Sequence, residues 1–254
     1  DQSSSRGLGD VYKRQEFAVT NKIKVVVDNN YDLERMISFS QALDRRIKIM
    51  IRFTPGIECH THEYIRTGSF DSKFGFGLEN LNYVFKEINK VKNLELVGLH
   101  AHIGSQIFEL EPHRDLGEIL VNYAVDAQKY GHQINELNVG GGLGIKYTNE
   151  DDPPSIQDWV KTISESISKA CDKNNFKLPL LMCEPGRSIV STAGVTIYKI
   201  GSFKEIPGLK TYISVDGGMS DNPRPITYQS NYSACLVNDP VSYTHLRAHE
   251  TKTD

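Results

Sequence analysis

Three short runs carry the residues most able to do chemistry. They are Leu99-His100-Ala101-His102-Ile103-Gly104-Ser105, Gly140-Gly141-Gly142-Leu143-Gly144 and Glu184-Pro185-Gly186-Arg187. A glycine triplet lets backbone N–H groups approach an anion, and the N–H groups of a turn form a phosphate cradle. Ser105 and Arg187 add a hydroxyl and a guanidinium, donors that phosphate oxygens accept. GGGLG by itself equally describes a tight turn, and it does not fit the GxGxxG fingerprint of dinucleotide folds. A carboxylate such as Glu184, facing a pyridine nitrogen, would hold that nitrogen protonated and make the ring an electron sink. The same carboxylate could instead close a structural ion pair at a strand end. His102 could stack on a ring, ligate a metal or fill a core. The His100-Ala101-His102 spacing puts both imidazoles on one face of a strand. His60 and His62 form a second such pair in the loop 56–68, and two pairs together could hold a divalent metal.

A fourth run, Asp216-Gly217-Gly218-Met219-Ser220-Asp221-Asn222-Pro223-Arg224-Pro225, is followed by Tyr228. Rigid prolines and glycines framing one arginine and one tyrosine suit recognition of a substrate carboxylate by Arg224, with Tyr228 adding a hydroxyl. An ordinary surface turn has the same composition. Lys73 and Arg66 are loop cations able to meet an anion, and solvated charge accounts for Arg66 equally well.

These residues need elements to position them, and the chain alternates strand and helix. KIKVVVDN (22–29) is a β-branched run expected as a strand buried on both faces, and YDLERMISFSQAL has apolar residues at helical spacing. RIKIMIRF (46–53), LELVGLHAHIG, ELNVGGG and LPLLMCEPGR predict further strands. Helices are predicted over Asn80–Val91, Asp115–Tyr130 and IQDWVKTISESISKAC. Strand starts near 23, 47, 94, 136 and 179 give βα-sized steps, hence a parallel sheet, either a TIM barrel or a doubly wound sheet. In both, the active site lies at the carboxyl ends of the strands, where the first three runs fall. After Arg187 the pattern turns β-rich with no helix expected.

Composition bounds the rest. Hydrophobic residues are 39% of 254 and charged residues 24%, enough for a packed core. Lys plus Arg number 29 against 32 acids, a net charge of -3, which argues against nucleic acid or an anionic membrane as partner. Cys59, Cys171, Cys183 and Cys235 show no CxxC spacing and suit reduced thiols in the cytoplasm. Residues 1–15 and 240–254 lack an apolar period and resemble translated adapter sequence. The native part is therefore expected at 16–239, with a barrel region over 16–192 and the start of a β-domain over 193–239.

Taken together, RFTPG, HEYIRTGSFDSKFGF, GLHAHIGSQI, LNVGGGLGIKY, CEPGRSIV and VDGGMSDNPRPITY resemble, in order and spacing, the diaminopimelate decarboxylase family of fold-type III pyridoxal-phosphate enzymes. The resemblance covers nearly all of 16–239. It implies a partial TIM (β/α)8 barrel of about strands 4–8 running into a C-terminal β-domain. It also implies a homodimer, with pyridoxal 5'-phosphate as cofactor and meso-diaminopimelate converted to L-lysine. In it His102 stacks on the cofactor ring and Glu184 pairs with the ring nitrogen. Ser105, Gly141, Gly142, Gly186 and Arg187 lie at the phosphate. Arg187, Arg224 and Tyr228 bind the distal end of the substrate, and no metal is expected. The family's Schiff-base lysine motif is not found around Lys22, Lys24, Lys48 or Lys73, and Cys235 is not the family's later cysteine, so no catalytic residue is assigned. The chain as written is accordingly expected to be inactive and not stably folded on its own. Two other readings compete: a metal-dependent TIM-barrel hydrolase using the HxH pairs with Asp216, and a non-catalytic, pyridoxal-phosphate-binding regulatory relative.

Overall fold

The computed structural model describes residues 8–57 and 72–238. Cys59, the His60/His62 pair and Arg66 lie outside the described residues. The described chain divides into two compact units, one comprising residues up to 144 and 154–186, the other 145–153 and the residues from 187 onward. The division after Gly186 falls beside the change in pattern expected after Arg187 and a little ahead of the domain boundary expected at 192/193.

In the first unit the βα alternation is realised as a parallel sheet. Its strands are β1 (Val25–Val27), β2 (Ile47–Arg52), β3 (Leu94–His100), β4 (Glu136–Asn138) and β5 (Leu180–Met182), hydrogen-bonded in that order. A doubly wound sheet reverses its strand order at a switch point. This one does not: its five strands follow one another in sequence order without reversal. Lys24, just before β1, forms an ion pair with Glu136, the first residue of β4. On a flat sheet, strands three steps apart lie roughly 14 Å from each other and their side chains stand perpendicular to it. A sheet that curls towards that face brings the two closer together.

The central strands behave as expected for strands covered on both sides, with Ile49, Met50, Ile51 and Leu99 fully buried or nearly so. The edge strands do not. In β1 Val27 is buried while Val26 is exposed, and in β5 Leu180 is exposed. A βα run reads as buried from its residues alone; whether a neighbour covers it is a tertiary fact.

The connecting helices are α2 (Asn30–Ala42), α3 (Leu81–Asn89), α4 (Glu111–Gln128) and α5 (Ile156–Asn174). Asn29 caps α2 by accepting from the Asp32 N–H at 3.0 Å, and Ser155 caps α5 by accepting from the Asp158 N–H at 3.0 Å. The apolar stripe of α3, Leu81, Val84, Phe85 and Ile88, is fully buried. A further helix, α1 (Leu8–Thr20), starts inside the segment that shows no apolar period. Its Gln15 is buried, donates to Asp32 Oδ1 at 2.9 Å and accepts from Arg35 Nε at 2.5 Å. Val19 of the same helix is buried in the core, so polar and apolar contacts together attach it.

Helices α4 and α5 cross at Gly117. A Cβ there would lie 2.8 Å from Ser166 Oγ and 3.0 Å from Ser166 Cβ, while Ser166 Oγ is itself tied to the Arg114 carbonyl at 2.5 Å. Gly117→Val should therefore force the helices apart and lower the unfolding free energy by about 2 kcal/mol, read as a reduced midpoint in urea. An unchanged midpoint would show that the crossing is not tightly packed.

The second unit holds an antiparallel hairpin, β6 (Ile200–Ile206) and β7 (Lys210–Val215), turning at Gly208 with φ +74°. It also holds two one-turn helices, α6 (Arg187–Val190), where no helix is expected, and α7 (Arg224–Thr227), inside the run expected as a loop. Single turns carry too few residues for a periodic signal. Among the described residues no helix is long and apolar enough to cross a membrane.

Candidate active site

The carboxyl ends of the five strands bring together Asp28, Arg52, His100, His102, Asn138 and Glu184. The parallel arrangement makes this so, because each strand delivers its last residues to the same end of the sheet. His100 closes β3 and Asn138 closes β4; both are buried, while the Glu184 side chain is half exposed. Asn138 Nδ2 donates to Glu184 Oε1 at 2.9 Å, and His100 Nε2 lies 3.3 Å from the same oxygen. Asn138 Oδ1 accepts from the Gly140 N–H at 2.9 Å, and the Glu184 N–H donates to the Gly140 carbonyl at 2.7 Å.

His102 lies against the glycine triplet. The Gly141 N–H donates to His102 Nδ1 at 3.2 Å, so the neutral ring carries its proton on Nε2. Burial, with Arg52 and His100 adding to it, pulls the His102 pKa down to about 4. The imidazole is thus an uncharged, flat group at neutral pH. Gly140, at φ +66°, would put a Cβ 2.7 Å from that same Nδ1, and Gly142, at φ +107°, would put one 2.6 Å from the Gly104 carbonyl oxygen. The triplet is demanded by strand-end packing as well as suited to an anion.

Arg52, the last residue of β2, approaches Asp28 Oδ1 at 3.4 Å and lies over the Phe74 ring at 4.6 Å; Asp28 Oδ1 also accepts from the Gly75 N–H at 3.1 Å. Burial lowers the Arg52 pKa from its usual range, while Asp28 and Glu184 oppose it. Arg52, Asp28 and Asn138 belong to this cluster although the sequence assigns none of them a role; Arg52 and Asn138 fall within the runs RFTPG and LNVGGGLGIKY. The signal that finds them is position: each sits where an apolar strand ends.

Of the residues singled out in the sequence, His102, Ser105, Gly141, Gly142, Glu184 and Gly186 lie in the first unit, and Arg187, Arg224 and Tyr228 in the second. Ser105 is half-buried, and Gly186 is exposed with nothing within 4 Å of a would-be Cβ. In the second unit the Arg224 guanidinium lies 5.0 Å from the Tyr147 ring and 5.8 Å from that of Tyr228. It donates to Tyr147 Oη at 3.1 Å and to Ser230 Oγ at 3.3 Å. Cys171 is buried and Cys183 and Cys235 are exposed, all three as free thiols. Among the described residues no group of three or more His, Cys, Asp and Glu could hold a metal ion.

A carboxylate with one oxygen fixed by two donors, beside a neutral imidazole and a glycine turn, fits the ring nitrogen, ring face and anionic tail of pyridoxal phosphate. Residues 11–191 match the family described as "Pyridoxal-dependent decarboxylase, pyridoxal binding domain". The chain belongs to this family.

This pyridoxal-dependent decarboxylase domain is 54% identical over 221 residues to the diaminopimelate decarboxylase of Synechocystis sp., covering 87% of the chain and 47% of that relative. It is 38% identical over 227 residues to that of Bacillus subtilis, covering 84% and 49%. Among solved structures it is similar to the Helicobacter pylori diaminopimelate decarboxylase complexed with L-lysine, with a TM-score of 0.78 and 30% identity over 87% of this chain and 54% of that one. The chain spans about half the length of the curated relatives it matches.

Proposed function

We propose that the protein is a carboxy-lyase that decarboxylates meso-2,6-diaminopimelate to L-lysine with pyridoxal 5'-phosphate. The observation that carries the cofactor is Glu184, held through Oε1 by Asn138 and His100 next to the neutral His102. The substrate follows from the diaminopimelate decarboxylases to which the chain is similar.

When bound, pyridoxal phosphate supplies an electron sink for the charge left by departing carbon dioxide. The chain's own residues prepare for that. Glu184 keeps a proton on the ring nitrogen. His102, uncharged, gives the ring a flat face without competing for that proton. Ser105, Gly141, Gly142, Gly186 and Arg187 take the phosphate, and the Gly141 N–H already donates to His102. Arg187, Arg224 and Tyr228 take the amino-acid end of the substrate remote from the reaction. Arg224 suits a carboxylate because its guanidinium is already oriented by Tyr147 and Ser230.

The sequential strand order and the curl of the sheet support the finer fold, a barrel segment of about strands 4–8 joined to a β-domain. A homodimer in the cytoplasm completes the proposal, with neither nucleic acid nor membrane as partner. The test is release of carbon dioxide and L-lysine from meso-diaminopimelate by the whole protein, with ornithine and arginine as rivals. Turnover of a rival alone would replace the substrate; turnover unaffected by removing pyridoxal phosphate would overturn the cofactor.

A further inference from the structure

His100 and Asn138 have no part in the cofactor contacts proposed above, yet both are almost fully buried, 4% and 3% exposed, and both aim at one atom. The Asn138 amide can face only one way. Its Oδ1 accepts from the Gly140 N–H, so its Nδ2 must donate to Glu184 Oε1. The His100 ring is equally constrained. Its Nε2 faces the same carboxylate oxygen, and its Nδ1 is buried with no hydrogen-bond partner, so its proton sits on Nε2. Burial favours the uncharged ring, Glu184 opposes that and Arg52 reinforces it. Arg52, whose charge also reaches Glu184, is itself paired with Asp28. Among the described residues no hydrogen bond reaches Glu184 Oε2, on a side chain that is 54% exposed.

The combination is specific. A lysine or arginine at either position would orient Glu184 and cancel its charge at the same time. Two neutral donors orient it and leave the charge intact. We propose that His100 and Asn138 are positioning residues that fix Glu184 through one oxygen and present the other to the protonated nitrogen of a bound pyridine ring. This rests on the pyridoxal-phosphate reading and deepens it: the site selects a heterocycle that carries a ring N–H, over and above a flat ring with a phosphate. A purely structural role for His100 would make no such distinction.

Pyridoxamine 5'-phosphate and its 1-deaza analogue, which has carbon in place of the ring nitrogen, separate these cases. Neither carries an aldehyde, so surface lysines do not confuse the titration. The whole protein should bind the nitrogen-containing ligand more tightly than the analogue. His100→Phe should weaken pyridoxamine phosphate roughly tenfold, the value of one hydrogen bond to a charged group, and leave the analogue unchanged. His100→Gln, which restores a neutral donor, should recover most of the loss. In a Glu184→Gln background, His100→Phe should have no further effect. Asn138→Leu removes the other donor to the same oxygen and should reproduce the pattern even where His100→Phe does not fold. Equal weakening of both ligands, or of neither, would overturn the positioning role while leaving the cofactor reading in place. Equal affinity of the unsubstituted chain for the two ligands would do the same. Binding of neither ligand would overturn the cofactor reading and this inference with it.

Discussion

His113→Phe should stabilise the protein by about 1–2 kcal/mol at neutral pH and by about 3 kcal/mol more near pH 4. His113 lies on α4 with no exposed surface, its ring edge-on to Trp159 of α5 at 5.5 Å and 81°. Neither of its ring nitrogens, nor Trp159 Nε1, has a hydrogen-bond partner. A polar group buried in that way costs about 1–3 kcal/mol, which a phenylalanine of similar shape avoids while keeping the edge-on aromatic contact. Burial, with a smaller contribution from His102, pulls the His113 pKa down to about 4. An unfolded histidine binds its proton near pH 6.5, so between that pH and about 4 the unfolded chain holds more protons than the folded one. Stability is therefore full above the unfolded value and is lost as pH falls towards the folded value. His102 is shifted the same way, so the variant should keep a weaker acid dependence rather than none. Urea unfolding at neutral pH and near pH 4 measures both effects. Destabilisation at neutral pH with an unaltered pH slope would mean that the ring nitrogens are satisfied.

Much of this arrangement is legible in the sequence, for identifiable reasons. Apolar β-branched runs at βα spacing announce the central strands, because burial on both faces demands them, and the helices between follow from their stripes. The ends of those runs locate His102, the glycine triplet and Glu184 without any structure. What the sequence does not contain is partnership. Nothing in ELNVGGG says that Asn138 turns its amide to Glu184, since that depends on Gly140 claiming the other end of the amide. Arg52 looks like the polar residue that closes a strand; only the loop carrying Phe74 and Gly75 makes it part of the cluster. The HxH spacing suggests two imidazoles on one strand face, but β3 ends at His100 and His102 lies beyond it, so the two differ: His100 faces a carboxylate, His102 a backbone N–H. α1 escapes notice because the buried Gln15, a polar residue with polar partners, shares its attachment with Val19.

Gly141→Ala should be among the most damaging single-methyl additions to the first unit, lowering the unfolding free energy by about 3 kcal/mol. The added Cβ would fall well inside contact distance of the Glu184 carbonyl oxygen and 3.3 Å from its carbonyl carbon. A flexible side chain could swing away from such a collision. A backbone cannot, and this one is tied by its N–H to the Gly140 carbonyl at 2.7 Å, the bond that holds the ends of β4 and β5 together. The methyl must either break that bond or carry the Glu184 backbone outward, and the carboxylate moves with it, away from Asn138 and His100. With its partner to the ring nitrogen displaced, affinity for pyridoxamine 5'-phosphate should fall alongside stability. Gly186 supplies the control. It lies two residues beyond Glu184 in the same turn, but a Cβ there meets nothing within 4 Å, and Gly186→Ala should change stability by less than about 0.5 kcal/mol. Chemical denaturation of the two variants side by side decides the matter. Equal stability would mean that the strand ends yield to the extra methyl, and that the glycine triplet serves a ligand rather than the packing of β4 against β5.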